Sequence, residues 1–284
     1  MSHFASYVAI DWSGAKGCRH KGIAIAEARG DAAPRLVRPG HAWSRTEVLA
    51  WLLEQAAREP TLLGFDFSFA PPLLELGEYL PGEPGVPRTA QEFWAYVDSK
   101  CADPDLGAAS FLEVGHRRHF YFGIADGVKA DFVRFRQCDA RLNSQGGRKT
   151  ASAYDAIGAA QVAKASFSGM RLLHRLDGKV AIWPMYPVPA PGNSAVVEIY
   201  TRIYLRRAGM SGTKLRTREQ LNVALKGLGS PPARLRFEPN DHQTDALVTA
   251  AGMRQLALTE PRAFDPEGLT PEIAQSEGWT FGVL

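Results

Sequence analysis

The chain opens with apolar runs too short for helices and bounded by turn residues. Tyr7-Val-Ala-Ile-Asp11 and Gly22-Ile-Ala-Ile-Ala26 read as buried strands, joined by a Gly-containing turn from Trp12 to Lys21. A third short strand is expected at Arg35 to Arg38. Ser44-Arg-Thr-Glu47 has the capping-box pattern, in which the Ser and Glu side chains each satisfy a backbone N–H at the start of a helix. The helix should run to about Arg58, with Val48, Leu49, Leu52 and Leu53 on its apolar face, and stop at Pro60. Thr61-Leu-Leu-Gly-Phe-Asp-Phe67 is a further strand, and since a helix separates it from the first three it should lie parallel to the first.

Periodicity then fades. Pro71 to Thr89 is rich in Pro and Gly and reads as a long irregular loop, and Gln91 to Lys100 as a helix. Gly115 to Arg148 mixes cations with aromatic residues (HRRHFYFG, FVRFRQCDAR) before a break at Gly146-Gly147. Apolar residues at helical spacing predict a long helix from Ala151 to Leu176, despite Gly158 and Gly169. Strands follow at Lys179 to Trp183 and at Val196 to Tyr200, with a Pro-rich loop between them. Pro239-Asn-Asp241 puts Asp241 at the N-cap of an amphipathic helix reaching about Leu258, and Trp279 to Leu284 is one more strand or a docked tail. There is no internal repeat and no low-complexity tract.

Composition narrows the class. With 284 residues, 45% hydrophobic and 22% charged, the chain can bury a large core as one big domain or two small ones. Its net charge of +3 does not demand nucleic acid as partner, though it allows a local basic groove. No apolar run has the roughly 18 to 20 residues of a membrane helix, and the first residues lack the charged and apolar regions of a signal peptide, so a cytoplasmic protein is expected. Cys18, Cys101 and Cys138, an odd number with no CxxC spacing, argue against both a disulfide framework and a zinc site. The motifs of a P-loop, a hydrolase elbow and a zincin are lacking as well.

Candidate chemistry comes from carboxylates in apolar surroundings. Asp11 closes the first strand and Asp66 sits between two phenylalanines in the fourth, where an unpaired charge is costly. The plainer alternatives are a turn cap for Asp11 and a set of backbone amides around Asp66. Asp241 and Asp245 are four residues apart and share one helix face; Asp241 has a capping role open to it and Asp245 has none. His242 is a lesser candidate. Glu198, in the apolar VVEIY run, needs either a metal or an arginine as partner.

The order strand, strand, strand, helix, strand, insertion, helix, strand and final helix, with acids on the first strand, the fourth strand and the last helix, resembles the ribonuclease H-like fold. The blocks AIDWSGAKG, GFDFSFAPP, AIWPM, VVEIY, DHQTDALVTAAGM and SEGWTFGV narrow the likeness. They look like domain-of-unknown-function family 429, described as predicted RNase H-like nucleases, and span Ala9 to Val283 with nothing matching from about Leu74 to Arg148. The resemblance implies an α/β protein with a mixed five-stranded sheet flanked by helices, built from residues 1–73 and 149–284, with 74–148 a large, mainly helical insertion. It implies that Asp11 and Asp66 lie side by side on central strands and that the last helix brings a third acid. Carboxylates so close repel unless they are protonated or bind a hard cation, so Asp11, Asp66 and Asp245 are the expected ligands of Mg²⁺ or Mn²⁺, with Asp241 beside them.

The activity expected is metal-dependent phosphodiester hydrolysis, with nucleic acid as a candidate partner. Gly14 and Lys16, in the turn after the first strand, and Arg117 and Arg118, in the basic and aromatic segment, are the candidate phosphate contacts. Two other classes stay open: an actin-like phosphotransferase holding nucleotide phosphates at the Asp11 to Lys16 turn, and a non-enzymatic binding module whose carboxylates are structural.

Overall fold

A computed structural model describes residues 4–146, 150–157, 162–210 and 214–284. Gly147, Arg148, Gly158 and the 149 boundary, on which the sequence reading touches, lie outside the described residues.

In β1 (Ser6–Asp11) Tyr7 and Ala9 alternate with Val8 and Ile10, and both sets are buried, so helices must cover both faces of this strand. The chain continues through β2 (Ala24–Arg29), β3 (Arg35–Leu36), α1 (Arg45–Arg58) and β4 (Thr61–Phe65). It then wanders through loops and single helical turns that include α2 (Ala90–Lys100) and α3 (Gln137–Ser144), and returns in α4 (Val162–Leu176). After β5 (Ala181–Ile182) and β6 (Ala195–Glu198) come α5 (Thr201–Arg207), α6 (Arg218–Gly227), α7 (Asp241–Thr259) and α8 (Pro271–Gln275).

The result is an α/β protein with a mixed sheet in the order β3-β2-β1-β4-β6-β5. β2 is antiparallel to both its neighbours, and β1, β4, β6 and β5 are parallel to one another. The five strands implied by the resemblance are corrected to six among the described residues; the outer edge strand, Ala181–Ile182, lies in the run read as a strand at Lys179 to Trp183 and pairs with Ala195 and Val196. Val8, Ile10, Leu63 and Phe65 pack with α1, α2 and α4 on one face. Tyr7, Ala9, Leu62 and Val197 pack with α5, α6 and α7 on the other. Gly64 sets how closely α7 approaches: a Cβ there would stand 2.7 Å from both Ile199 Cγ2 and Met253 Sδ.

Other boundaries shift for local reasons. Ser44 and Glu47 form the capping box that starts α1. Of the helix expected from Ala151, the described part runs from Val162, and residues 151–157 lie outside it: Ser152 Oγ donates to Arg134 O at 2.9 Å, and Asp155 bridges in parallel to Tyr121. The last residues dock rather than extend the sheet, through one bridge from Thr280 to Glu198 and a 2.8 Å hydrogen bond from Phe281 N to Glu198 O. Among the described residues, no helix is long and apolar enough to cross a membrane.

Candidate active site

The register of β1 and β4 pairs Ile10 with Phe65, and Asp66 N donates to Ile10 O at 3.1 Å. The next residues, Asp11 and Asp66, therefore stand abreast at the carboxyl ends of two parallel strands, on the face that α7 covers. The N-terminal turns of α7 bring Asp241, His242 and Asp245 to the same edge, where open α/β sheets form their ligand crevices. All five side chains line a cleft of about 630 Å³. It is lined as well by Lys129, Phe135, Arg136 and Asp155 and by the start of α4.

The acids have unequal surroundings. Asp11 Oδ2 lies 2.9 Å from His242 Nδ1. Burial raises the Asp11 carboxyl, and this imidazole works against the rise. The contact lifts His242 above the ordinary histidine value. Asp241 accepts a 2.7 Å hydrogen bond from Lys214 Nζ, which holds its carboxyl below the usual range. Its expected role as N-cap belongs instead to Asn240, whose side chain accepts from Gln243 N and completes a capping box, while Asp241 is the first residue of the helix. Asp66 and Asp245 have no hydrogen-bond or ion-pair partner for their carboxylates among the described residues. Burial and the charges of Asp11, Asp245 and Glu198 push Asp66 well above the carboxylate range. Burial and Asp11 push Asp245 up to about 7.

This all-oxygen donor set suits a hard divalent cation. With the side chains placed as they are, and Asp11 turned to His242, no three His, Cys, Asp or Glu side chains among the described residues converge to hold one ion.

Glu198 is committed to protein partners. Arg136 binds it through two nitrogens at 2.6 and 2.5 Å, Thr280 Oγ1 donates at 2.6 Å and Phe69 N at 2.8 Å. This is the arginine pairing weighed for it from sequence. Gly14 presses against α4: a Cβ there would meet the Lys164 carbonyl carbon at 2.2 Å, so close backbone packing accounts for the glycine. The turn is clamped by fully buried Arg45, which donates to Ser13 O and Ala15 O. Lys16 pairs with Glu113 at 2.6 Å, Arg117 with Asp126 at 2.5 Å and Arg118 with Glu83 at 3.0 Å. None of Gly14, Lys16, Arg117 and Arg118 lines the cleft.

The cations that do line it are Lys129, Arg136, Arg202 and Lys214. Lys129 pairs with Asp155, Arg136 with Glu198 and Asp139, and Lys214 with Asp241. Arg202, directly after β6 at the start of α5, has no hydrogen-bond or ion-pair partner among the described residues. A single arginine in IYTRIYLRR carries no motif that marks it in the sequence. Its one available signal was position, immediately beyond a strand that ends at the same sheet edge as Asp11 and Asp66.

No protein-family model, curated protein or solved structure was found to match the chain.

Proposed function

We propose that the protein is a Mg²⁺- or Mn²⁺-dependent phosphodiester hydrolase, a nuclease of ribonuclease H-like fold related to domain-of-unknown-function family 429. The observation that carries this reading is the pair Asp66 and Asp245: two carboxylates held in a cleft floor with raised proton affinity and no protein partner among the described residues. Structural acids at such depth ordinarily have donors, as Glu198 does. The sheet order, with β1 and β4 central and the acids abreast, supports the fold assignment, as do the sequence blocks.

Asp11, Asp66 and Asp245 would hold the cation, and Asp241 would stand at the rim. A divalent ion supplies charge neutralisation at the phosphoryl oxygens and a water acidic enough to attack at neutral pH. In the hydrolysis, water oxygen bonds to phosphorus, the phosphorus–ester oxygen bond breaks, and the leaving oxygen takes up a proton. His242, bonded to Asp11 through Nδ1, would be the proton acceptor, through its other nitrogen. The phosphotransferase alternative loses its support where Lys16 is paired and Gly14 is pressed on α4.

The test is hydrolysis of labelled single-stranded, duplex and branched oligonucleotides with Mg²⁺, with Mn²⁺ and with a chelator. Cleavage that needs the cation and vanishes in Asp66→Asn is expected. A wild-type protein that leaves all of them intact with either cation would favour the binding-module reading.

A further inference from the structure

We infer that the cleft receives a single nucleic-acid strand with its bases unpaired, and that Arg202 anchors a phosphate next to the one over the aspartates. This rests on the phosphodiester reading above. Two observations carry it.

The first is the shape and lining of the cleft. At about 630 Å³ it falls in the range of small-molecule pockets, roughly 300 to 1,000 Å³, and holds a nucleotide or two rather than the side of a double helix. The carboxylates share it with residues of α7, of the start of α4 and of the stretches 129–142 and 150–157. Val133, Phe135, Ile157 and Val162 line the same cleft. Apolar and aromatic side chains in a nucleic-acid groove find their partners in base faces, and a duplex keeps those faces stacked inside itself. Only a strand whose bases are free can cover these side chains while its backbone reaches Asp11 and Asp66.

The second observation is Arg202. Lys129, Arg136 and Lys214 already have carboxylate partners, so a substrate must compete with Asp155, Glu198 and Asp241 for them. Arg202 needs no such exchange, because no described residue pairs with its guanidinium. An arginine fork matches phosphate geometry through two parallel hydrogen bonds, and a cation with no internal partner at the wall of an acidic cleft offsets the repulsion an anionic backbone would meet there.

Binding separates this from hydrolysis. Fluorescence anisotropy of the full chain, with a labelled twelve-nucleotide strand and a hairpin duplex of the same sequence, is run in Ca²⁺ and in chelator, with a one-to-six-nucleotide series as competitors. The expected result is tighter binding of the strand, competition that saturates within the first few nucleotides, and a tenfold to hundredfold weaker Kd in Arg202→Ala, on the order expected for a lost charge-assisted contact. The slope of log affinity against log salt should fall by about 0.7 in that variant, the counterion count for one single-strand contact. Arg202→Lys should recover part of the loss, and Arg262→Ala, at an exposed turn away from the cleft, should bind as wild type. Circular dichroism melts confirm that the variants are folded. Equal or better binding of the duplex, an unchanged Kd in Arg202→Ala, or no binding of any strand would overturn the inference. Strand binding that depends on Arg202 without hydrolysis of any substrate would keep this inference and remove the hydrolase reading. Cation-dependent cleavage of duplex, indifferent to Arg202, would do the reverse.

Discussion

His242 Nδ1 lies 2.9 Å from Asp11 Oδ2, so the end of the first strand and the first turn of α7 are tied by one polar contact within the cleft. Asp11 raises the proton affinity of His242, so the folded state binds that proton more tightly than the unfolded chain. The pair's contribution to stability is therefore fully present below the unfolded histidine value and is lost as pH rises through the folded one. His242→Ala should cost more at pH 6 than at pH 9, by some fraction of a kcal/mol because the ring is half exposed. Urea titrations at both pH values would show it; equal costs would mean the contact carries no charge.

Asp245→Asn should leave the fold intact and melt slightly higher than wild type without metal, since it removes one of several repelling charges. The gain is of order 1 kcal/mol, about 2 to 4 °C at this chain length. The same variant should lose the rise in Tm that Mn²⁺ gives wild type. Differential scanning calorimetry with and without Mn²⁺ checks both halves. An undiminished Mn²⁺ shift would place the cation elsewhere.

Cation affinity should climb with pH. With Asp245 pushed up to about 7, its proton must leave before it can ligate, and each pH unit below that value should weaken Mn²⁺ binding by up to about tenfold. Without metal the sign reverses for stability: a raised carboxyl favours the fold at low pH, and that contribution fades as pH rises through about 7. Isothermal titration calorimetry at pH 6 and pH 8 gives the first slope, and Tm against pH in chelator the second.

Arg136→Leu should destabilise by about 3 to 5 kcal/mol, because it strands the buried Glu198 carboxylate. Arg136→Leu with Glu198→Leu should recover a large part of that loss in urea unfolding. Failure to recover would mean that Asp139 and Thr280, rather than the pair itself, dominate.

The turn after β1 offers a contrast. Gly14→Ala forces a methyl onto the Lys164 backbone and should cost at least 1 to 3 kcal/mol, while Lys16→Ala removes an exposed ion pair worth no more than about 1 kcal/mol. Neither change touches a cleft-lining side chain, so Lys16→Ala should keep cation affinity unchanged by calorimetry.

The elements legible in the sequence were those whose signal is local. The Ser44–Glu47 box, the run around Asp66 and the helix that carries Asp245 need only neighbouring residues to be read. The parallel run of β4 and β1 could be expected from the intervening helix, whereas the juxtaposition of Asp11 and Asp66 was implied only by the resemblance in the order of elements. What escaped depends on distant contacts. Residues 151–157 are held by Arg134 and Tyr121, and the partners of Lys16, Arg117 and Arg118 come from other turns; the cap of α7 is the exception, a local Asn240–Gln243 box one residue before the expected Asp241. Arg202 could not be distinguished from the many other arginines, since what marks it is its place in the cleft together with the lack of a described partner.

The floor of the cleft is assembled from the two ends of the sequence, and this gives it a history during synthesis. As the chain emerges, Asp11 and Asp66 can come abreast as soon as β4 pairs with β1, leaving two like charges on a half-covered sheet while most of the protein is still unmade. α7 must then lay Asp245 against them, adding a third repelling charge at the step that buries the second face. A divalent cation present at that moment would turn this repulsion into attraction. Refolding should therefore be faster with Mn²⁺ than in chelator, and the acceleration should disappear once Asp245 is neutral.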